Sequence, residues 1–277
     1  MKIADFPLPF AKMSGTGNDF ILIDHRKPLI HAGAMSEFAA LVCRRRFSVG
    51  ADGLILIEDS QEADFRWRFF NADGSVAEMC GNGARCAARF AYMQGIAPAR
   101  MRFETIAGII EASVADTLVA IRMTRPRDLR LDQNIVVDGK EMTVHFVDTG
   151  VPHAVVFVDE VDRIDVRRLG AAIRYHDAFA PAGTNANFVG RQGDGFKVRT
   201  YERGVEDETM ACGTGAVAGA LMAAMTGQAE SPVRIITSGG DTLTITFDLA
   251  GDKADHVFLK GPAHLIYRGE LTAEALL

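Results

Sequence analysis

Two tetrapeptides in the chain, Cys80-Gly81-Asn82-Gly83 and Cys212-Gly213-Thr214-Gly215, place a thiol directly ahead of Ala-rich runs, Ala84–Met93 and Ala216–Met225. The pattern predicts a cysteine at a helix N-terminus, with glycines letting backbone N–H groups approach whatever binds there. A helix start offers unpaired donors and about half a positive charge, which favours a thiolate and an incoming carboxylate and lowers a thiol from its free pKa of about 8.5. One such thiol reads equally well as a small core residue, whereas two copies that keep the thiol and both glycines read as chemistry. Spacing narrows the choice. A phosphatase loop requires Cys-x5-Arg, but position 86 is a cysteine and Arg85 falls one place early. A cysteine hydrolase with a His base would leave the second copy idle, and no C-x-x-C pair exists for thioredoxin-like redox work. What remains is a reaction that uses two equivalent thiols. Inversion of a stereocentre is one: a thiolate takes a proton from one face of a carbon, and the other thiol delivers a proton to the opposite face.

The elements that would position these thiols are duplicated with them. At an offset of 132 residues Cys80–Gly95 falls on Cys212–Gly227 without a gap and with eight of sixteen positions identical, and the match continues through Arg102 on Arg234, Thr105 on Thr237 and Gly108 on Gly240. At 135, Gly15–Asp24 falls on Gly150–Asp159; at 133, Gly50-Ala51-Asp52 falls on Gly183-Thr184-Asn185. Apolar patterning predicts strands near Phe20–Ile23, Leu54–Glu58, Trp67–Phe70, Met101–Glu104 and Leu118–Met123, and again near Val155–Val158, Asn187–Val189, Lys197–Tyr201, Val233–Ile236 and Leu243–Phe247. Helices are expected near Met35–Arg45 and near Val166–Arg174, besides the two that follow the cysteines. Pro126 and the polar run after it mark the join. The fold expected is α/β (α+β): two α/β domains, 1–126 and 127–277, related by a pseudo-twofold axis with the active-site cleft between them, the last strand (about 263–277) packing back on the first half.

Composition sets the outer bounds. With 277 residues, 48% hydrophobic and 24% charged, the chain reads as an ordinary globular protein of one large or two medium domains. Its 30 Lys+Arg against 36 Asp+Glu leave a formal charge of −6, and the basic residues are scattered apart from Arg44, Arg45 and Arg46, so no nucleic-acid-binding face is indicated. No apolar stretch approaches a membrane span, and the N-terminus, interrupted by Pro7 and Pro9, does not read as a signal peptide, which makes a cytoplasmic location the expectation. The four cysteines are then expected as thiols; Cys43 and Cys86 lie in apolar helical runs and are most simply core residues.

The motifs KMSGTGNDF (Lys12–Phe20), FFNADGS (Phe69–Ser75), MCGNGARC (Met79–Cys86), YERG (Tyr201–Gly204) and ACGTGA (Ala211–Ala216), in this order over nearly the whole chain, resemble the diaminopimelate epimerase family. Proline and hydroxyproline racemases usually carry His at the position of Asn82, and phenazine-type relatives lack the cysteine pair. The resemblance implies interconversion of LL- and meso-diaminopimelate, in lysine and peptidoglycan precursor synthesis, by a two-cysteine mechanism without pyridoxal phosphate, metal or other cofactor. It implies Cys80 and Cys212 as the acid/base pair, with Gly81, Asn82, Gly213 and Thr214 presenting N–H groups to the reacting carboxylate. His153 and Glu202 match residues thought to tune the pair and hold the reacting ammonium, and Asn18, Asn71, Asn185 and Arg203 match groups that bind the distal amino acid end. A small-molecule amino acid substrate and a homodimer are implied as partners. Two positions depart from the pattern: Val151 stands where many members have Asn and Gly53 where some have Gln, both facing the distal end. A racemase of another amino acid is the alternative within the class, and a non-catalytic ligand or thiol sensor the alternative outside it.

Overall fold

The computed structural model describes residues 3–251 and 253–277. It divides into two units, Met1–Ile121 with Pro262–Leu277, and Arg122–Gly261. The join lies before Pro126 because the Met123 N–H already donates to Val257 O of the second unit, 2.8 Å away.

In the first unit the chain runs through β1 (Leu8–Gly15), β2 (Asn18–Asp24), α1 (Met35–Val42), β3 (Gly53–Glu58), β4 (Phe65–Asn71), α2 (Gly81–Met93), β5 (Arg100–Thr105), β6 (Gly108–Ala115) and β7 (Leu118–Arg122). The second unit holds β8 (Arg127–Val137), β9 (Lys140–Asp148), β10 (Pro152–Phe157), α3 (Val166–Arg174), β11 (Asn185–Gln192), β12 (Gly195–Glu202), β13 (Asp207–Thr209), α4 (Gly213–Met225), β14 (Val233–Ile236), β15 (Thr242–Ala250) and β16 (Lys253–Pro262); β17 (His264–Leu271) returns to the first. The polar run after Pro126, expected as a join, is β8: its alternation of charged and half-buried residues is that of a strand with one face in solvent.

The two units repeat one pattern of pairing. In the first, β17–β1 and β1–β2 are antiparallel, β2–β3 parallel, β3–β4 antiparallel, β4–β5 parallel and β5–β6 and β6–β7 antiparallel. In the second, β8–β9 and β9–β10 are antiparallel, β10–β11 parallel, β11–β12 antiparallel, β12–β14 parallel and β14–β15 and β15–β16 antiparallel. Each parallel pair is bridged by a helix crossover, as parallel strands require. Thus β17 occupies in the first unit the place that β8 occupies in the second.

Each sheet has two differently covered faces. On one, α1 packs over Ile21, Ile23, Leu54, Leu56 and Phe70 through Phe38, Ala39 and Val42; likewise α3 covers Ala154, Val156, Ala186, Phe188 and Tyr201 through Val166 and Ile173. On the other face the sheet curls about a central helix. The helix α2 touches β1, β2, β3 and β6, and α4 touches strands from β9 to β15. A helix covered on so many sides must be slender, which explains why Gly83–Ala88 and Gly215–Ala223 are buried without interruption and built mostly from small residues, with Arg85, Leu221 and Met222 as the large exceptions. Among the described residues no helix is long and apolar enough to cross a membrane.

The α3 face is packed to contact: a Cβ at Gly170 would lie 2.3 Å from Tyr201 Cβ. Gly170→Ala must therefore push α3 away from its sheet, and overpacking of this kind costs about 1–3 kcal/mol. A lowered urea midpoint followed by circular dichroism is the expected result; an unchanged midpoint would show that the helix seats loosely.

Candidate active site

Both cysteines of the duplicated motif sit at N-caps. Cys80 precedes α2 in extended backbone (φ −146°, ψ 118°), and Cys212 precedes α4 in the same conformation (φ −116°, ψ 109°). Gly81 and Gly213 open the helices, and both cysteines are half-buried. Side chains at 81 and 213 would meet Ile121 and Leu259, at 3.6 and 3.3 Å.

In the first unit the strand ends bring Asn18, Asn71 and the α2 start to one end of the sheet. Asn18 opens β2, Asn71 closes β4, and Gly53, which pairs with Asn71, stands beside Phe20. A Cβ on Gly15 would come within 2.8 Å of Asn82 O, so β1 runs directly against the first turn of α2. Asn82 Nδ2 donates to Asn18 Oδ1 at 2.8 Å, and Asn18 Nδ2 donates to Asp52 Oδ2 at 3.0 Å. Upstream of both lies Arg85, fully buried, whose Nη2 donates to Asn82 Oδ1 at 2.9 Å and to Thr16 Oγ1, and whose Nη1 donates to Gly81 O at 3.3 Å. One direction of donation runs from Arg85 to Asn82 to Asn18 to Asp52, so both amides have a fixed orientation. Asn71 is exposed and donates to Ser75 Oγ in the turn after β4. Gly53 has no room for a side chain, since a Cβ there would lie 2.6 Å from both the Phe69 ring and Phe70 O. The absent glutamine at this position is therefore a consequence of how Phe69 fills the sheet end.

A charge cluster anchors Asn18 from behind. Asp52 also bonds the Asp19 N–H and Arg45, while Asp19 pairs with buried Lys12 (2.8 Å) and Arg45 (2.5 Å). Burial pushes the Asp19 carboxyl up, but the hydrogen bonds from Arg45 and Lys12 outweigh it and hold the group at about 2.

In the second unit, His153 and Asn185 are neighbours on β10 and β11. Asn185 spends both ends of its amide on backbone: Nδ2 donates to Pro152 O at 2.9 Å and Oδ1 accepts from Arg203 N at 2.8 Å. It thereby ties the strand end to the segment carrying Arg203, whose Nη1 donates to Ala182 O. Glu202 accepts from Thr209 Oγ1 at 2.9 Å; burial raises its carboxyl pKa, and the Thr209 bond opposes that. Cys212 Sγ lies 3.5 Å from Thr214 Oγ1 and accepts from Gly215 N at 3.4 Å. Even so, burial first and the Glu202 carboxylate second push this thiol up to about 12, so the expected lowering by the helix start is overturned at Cys212. The helix end is real, but its partial charge is outweighed by lost hydration and a neighbouring anion. His153 is fully buried, and desolvation holds it at about 3, so the ring is neutral. Val151 is half-buried in the turn where the Thr149 N–H donates to Val151 O.

Arg85, Thr16, Asp19, Asp52 and Asn187 surround these residues and escaped the sequence reading. Arg85 had a usable signal, since a charge inside an Ala-rich enclosed helix must be satisfied. Cys43 and Cys86 are buried and pushed up to about 12 by desolvation, as inert core thiols are. Among the described residues no group of three or more His, Cys, Asp or Glu side chains is placed to hold a metal ion.

Comparison with known proteins identifies the family and the fold. A family model described as diaminopimelate epimerase matches residues 10–127 and 145–266. A diaminopimelate epimerase of Aquifex aeolicus is 47% identical over 97% of this chain and 99% of its own, and one of Hydrogenobaculum sp. is 48% identical over 95% and 98%. Among solved structures, a PhzF-family phenazine biosynthesis protein of Bacillus anthracis aligns with TM-score 0.71 at 17% identity, covering 98% of this chain and 100% of its own. A probable proline racemase of Agrobacterium radiobacter aligns with TM-score 0.67 at 15% identity, covering 96% and 93%, which extends the shared fold.

Two outcomes follow from the electrostatics. Because Asp19 is held below its ordinary 3.8, its pairing stabilises the fold above that pH and is lost as pH falls toward 2. Asp19→Asn is expected to lower stability at pH 7 by about 1–2 kcal/mol, with the gap from the parent closing between those two values; a pH-independent gap in urea titrations would contradict this. Glu202→Gln removes an anion that raises the Cys212 thiol, so alkylation of Cys212 by iodoacetamide, followed by peptide mass spectrometry at one fixed pH, should become faster. An unchanged rate would mean that Glu202 does not act on the thiol.

Proposed function

The chain belongs to the diaminopimelate epimerase family, and we propose that it interconverts LL- and meso-diaminopimelate as an isomerase in which Cys80 and Cys212 act as the acid/base pair at one α-carbon. The observation that carries this reading is the thiol at a helix N-cap in each of two units of identical strand pairing. A one-base enzyme would need only one of them.

In this reading one cysteine, as thiolate, removes the α-proton and the other returns a proton to the opposite face. Cys212, raised to about 12, starts as the proton donor in one direction, and the roles exchange in the other. The first-turn N–H groups at Gly81, Asn82, Gly213 and Thr214 receive the reacting carboxylate, where unpaired donors and helix partial charge favour an anion. They also favour the charge that spreads onto that carboxylate as the α-carbon becomes a carbanion. Glu202 holds the reacting ammonium and, as an anion, keeps Cys212 protonated until it donates. His153, neutral, takes part only by hydrogen bonding. Asn18, Asn71, Asn185 and Arg203 serve the distal amino acid group: Asn18 oriented by Asn82 and Arg85, and Asn185 by fixing the backbone at Arg203. Family membership supports action on a free amino acid in the cytoplasm, as a homodimer.

Proton NMR of the purified protein with LL-diaminopimelate in D2O tests the reading directly. Solvent deuterium should appear at the α-carbon as the meso isomer accumulates. Cys80→Ala and Cys212→Ala should each lower turnover by at least 10² to 10⁴-fold, the usual consequence of losing a general acid or base, while Cys43→Ala and Cys86→Ala stay close to the parent. Full turnover in Cys212→Ala, or dependence on Cys86 in place of Cys80, would overturn the assignment.

A further inference from the structure

The most telling difference between the two units lies under the second glycine of each Cys-Gly-x-Gly segment. A Cβ on Gly83 would meet Ile55 Cδ1 at 3.2 Å. At the equivalent Gly215 it would meet Asn187 Oδ1 at 2.4 Å, and 55 and 187 are themselves related by the 132-residue offset of the repeat. One unit thus fills this place with an apolar side chain, and the other with a fully buried amide. Close packing alone needs no amide here.

Asn187 has three polar neighbours, and they determine its orientation. Ala154 O, which can only accept, lies 2.9 Å from Nδ2, so that atom is the NH2 group. Thr200 Oγ1 donates to Oδ1 at 2.9 Å. The second hydrogen on Nδ2 points at His153 Nδ1, 3.1 Å away. An Nδ1 that accepts carries no proton, so the neutral ring carries its proton on Nε2. His153, Asn187 and Thr200 share the sheet face that lies against α4, because the alternate residues Ala154, Ala186 and Tyr201 belong to the core on the α3 side. His153 Nε2 is buried and has no hydrogen-bond partner among the described residues.

We propose that Asn187 is a positioning residue: it locks His153 in the Nε2–H tautomer, making the ring a neutral hydrogen-bond donor to the reacting species on the Cys212 side and not a base. The assignment rests on the epimerase reading for what receives the bond, and on geometry alone for the tautomer. It also accounts for Gly215, since any side chain there would displace the amide that sets the ring.

The test uses the whole protein labelled with 15N-histidine, with long-range 1H–15N correlation spectra at pH 7 and His153→Gln to identify the His153 signals. The expected pattern has a pyridine-type Nδ1 and a pyrrole-type Nε2. Asn187→Asp, which offers only acceptors, should convert His153 to the Nδ1–H tautomer or to imidazolium and lower kcat about tenfold or more, with KM little changed. His153→Gln keeps a neutral N–H donor and should stay within about tenfold of the parent, whereas loss of a true general base costs 10² to 10⁴-fold. A wild-type ring with its proton on Nδ1, an imidazolium at pH 7, or a His153→Gln variant as impaired as Cys212→Ala would overturn the proposal. The wild-type spectrum and His153→Gln decide the matter even if Asn187→Asp fails to fold. Epimerisation together with the opposite tautomer sinks this assignment alone; the expected tautomer in a protein that exchanges no α-proton sinks the epimerase reading and leaves the tautomer standing.

Discussion

A helix walled in along its sides can meet the outside only at its ends. That constraint governs both units, because the sheets curl about α2 and α4 until residue after residue of each is buried. The small side chains follow from the lack of lateral space, and the glycines follow from strands that pass within contact of the first turn. The only donors left unpaired by the helix are those at its start, so whatever is recognised must be recognised there. A thiol at the N-cap then needs no loop to deliver it, and its position is as rigid as the helix that follows.

Duplication supplied two such frames, and their differences carry the specialisation. Arg85 is matched by Val217, Asn82 by Thr214 and Ile55 by Asn187. The first unit spends a buried guanidinium on orienting two amides through a single direction of donation. The second contains no such cation in its central helix; it sets a carboxylate near its thiol and an amide behind its histidine. The first frame thereby becomes a place for fixed hydrogen-bond geometry, and the second one in which charge near the sulfur is held in check.

The thiols and glycines were legible in the sequence because the constraint acts on residue type at a fixed spacing and acts twice. The parallel strands β3, β10 and β11 and the helices α1 to α4 were legible for a similar reason: they are buried on a full face or more, and their apolar pattern shows it. Expected helix starts at Ala84 and Ala216 fell a turn late, since glycine argues against a helix when judged by propensity, yet here enclosure requires it. The strand β8 was obscured by charge, being half exposed, and looked like a linker. Asn187 could not be distinguished from the strand around it, because its meaning lies in three neighbours on two other strands, β10 and β12. The electrostatics of Cys212 were read with the wrong sign: sequence shows the helix that would lower a thiol's pKa, but not the burial and the carboxylate that raise it.

The return of β17 to the first unit has a consequence for how the chain is made. Leu8 pairs with Leu271 and Phe10 with Gly269, so the strand that flanks β1 leaves the ribosome only after all the strands of the second unit. During synthesis β1 therefore waits with one edge open, a template for unwanted partners until β17 arrives. The second unit is able to close first, although it is encoded later. Ring closure over nearly the full chain length adds only a slowly growing entropic cost, so the arrangement weighs more on the time course of folding than on the final stability. Removing a short C-terminal segment would, for the same reason, injure the N-terminal half of the molecule.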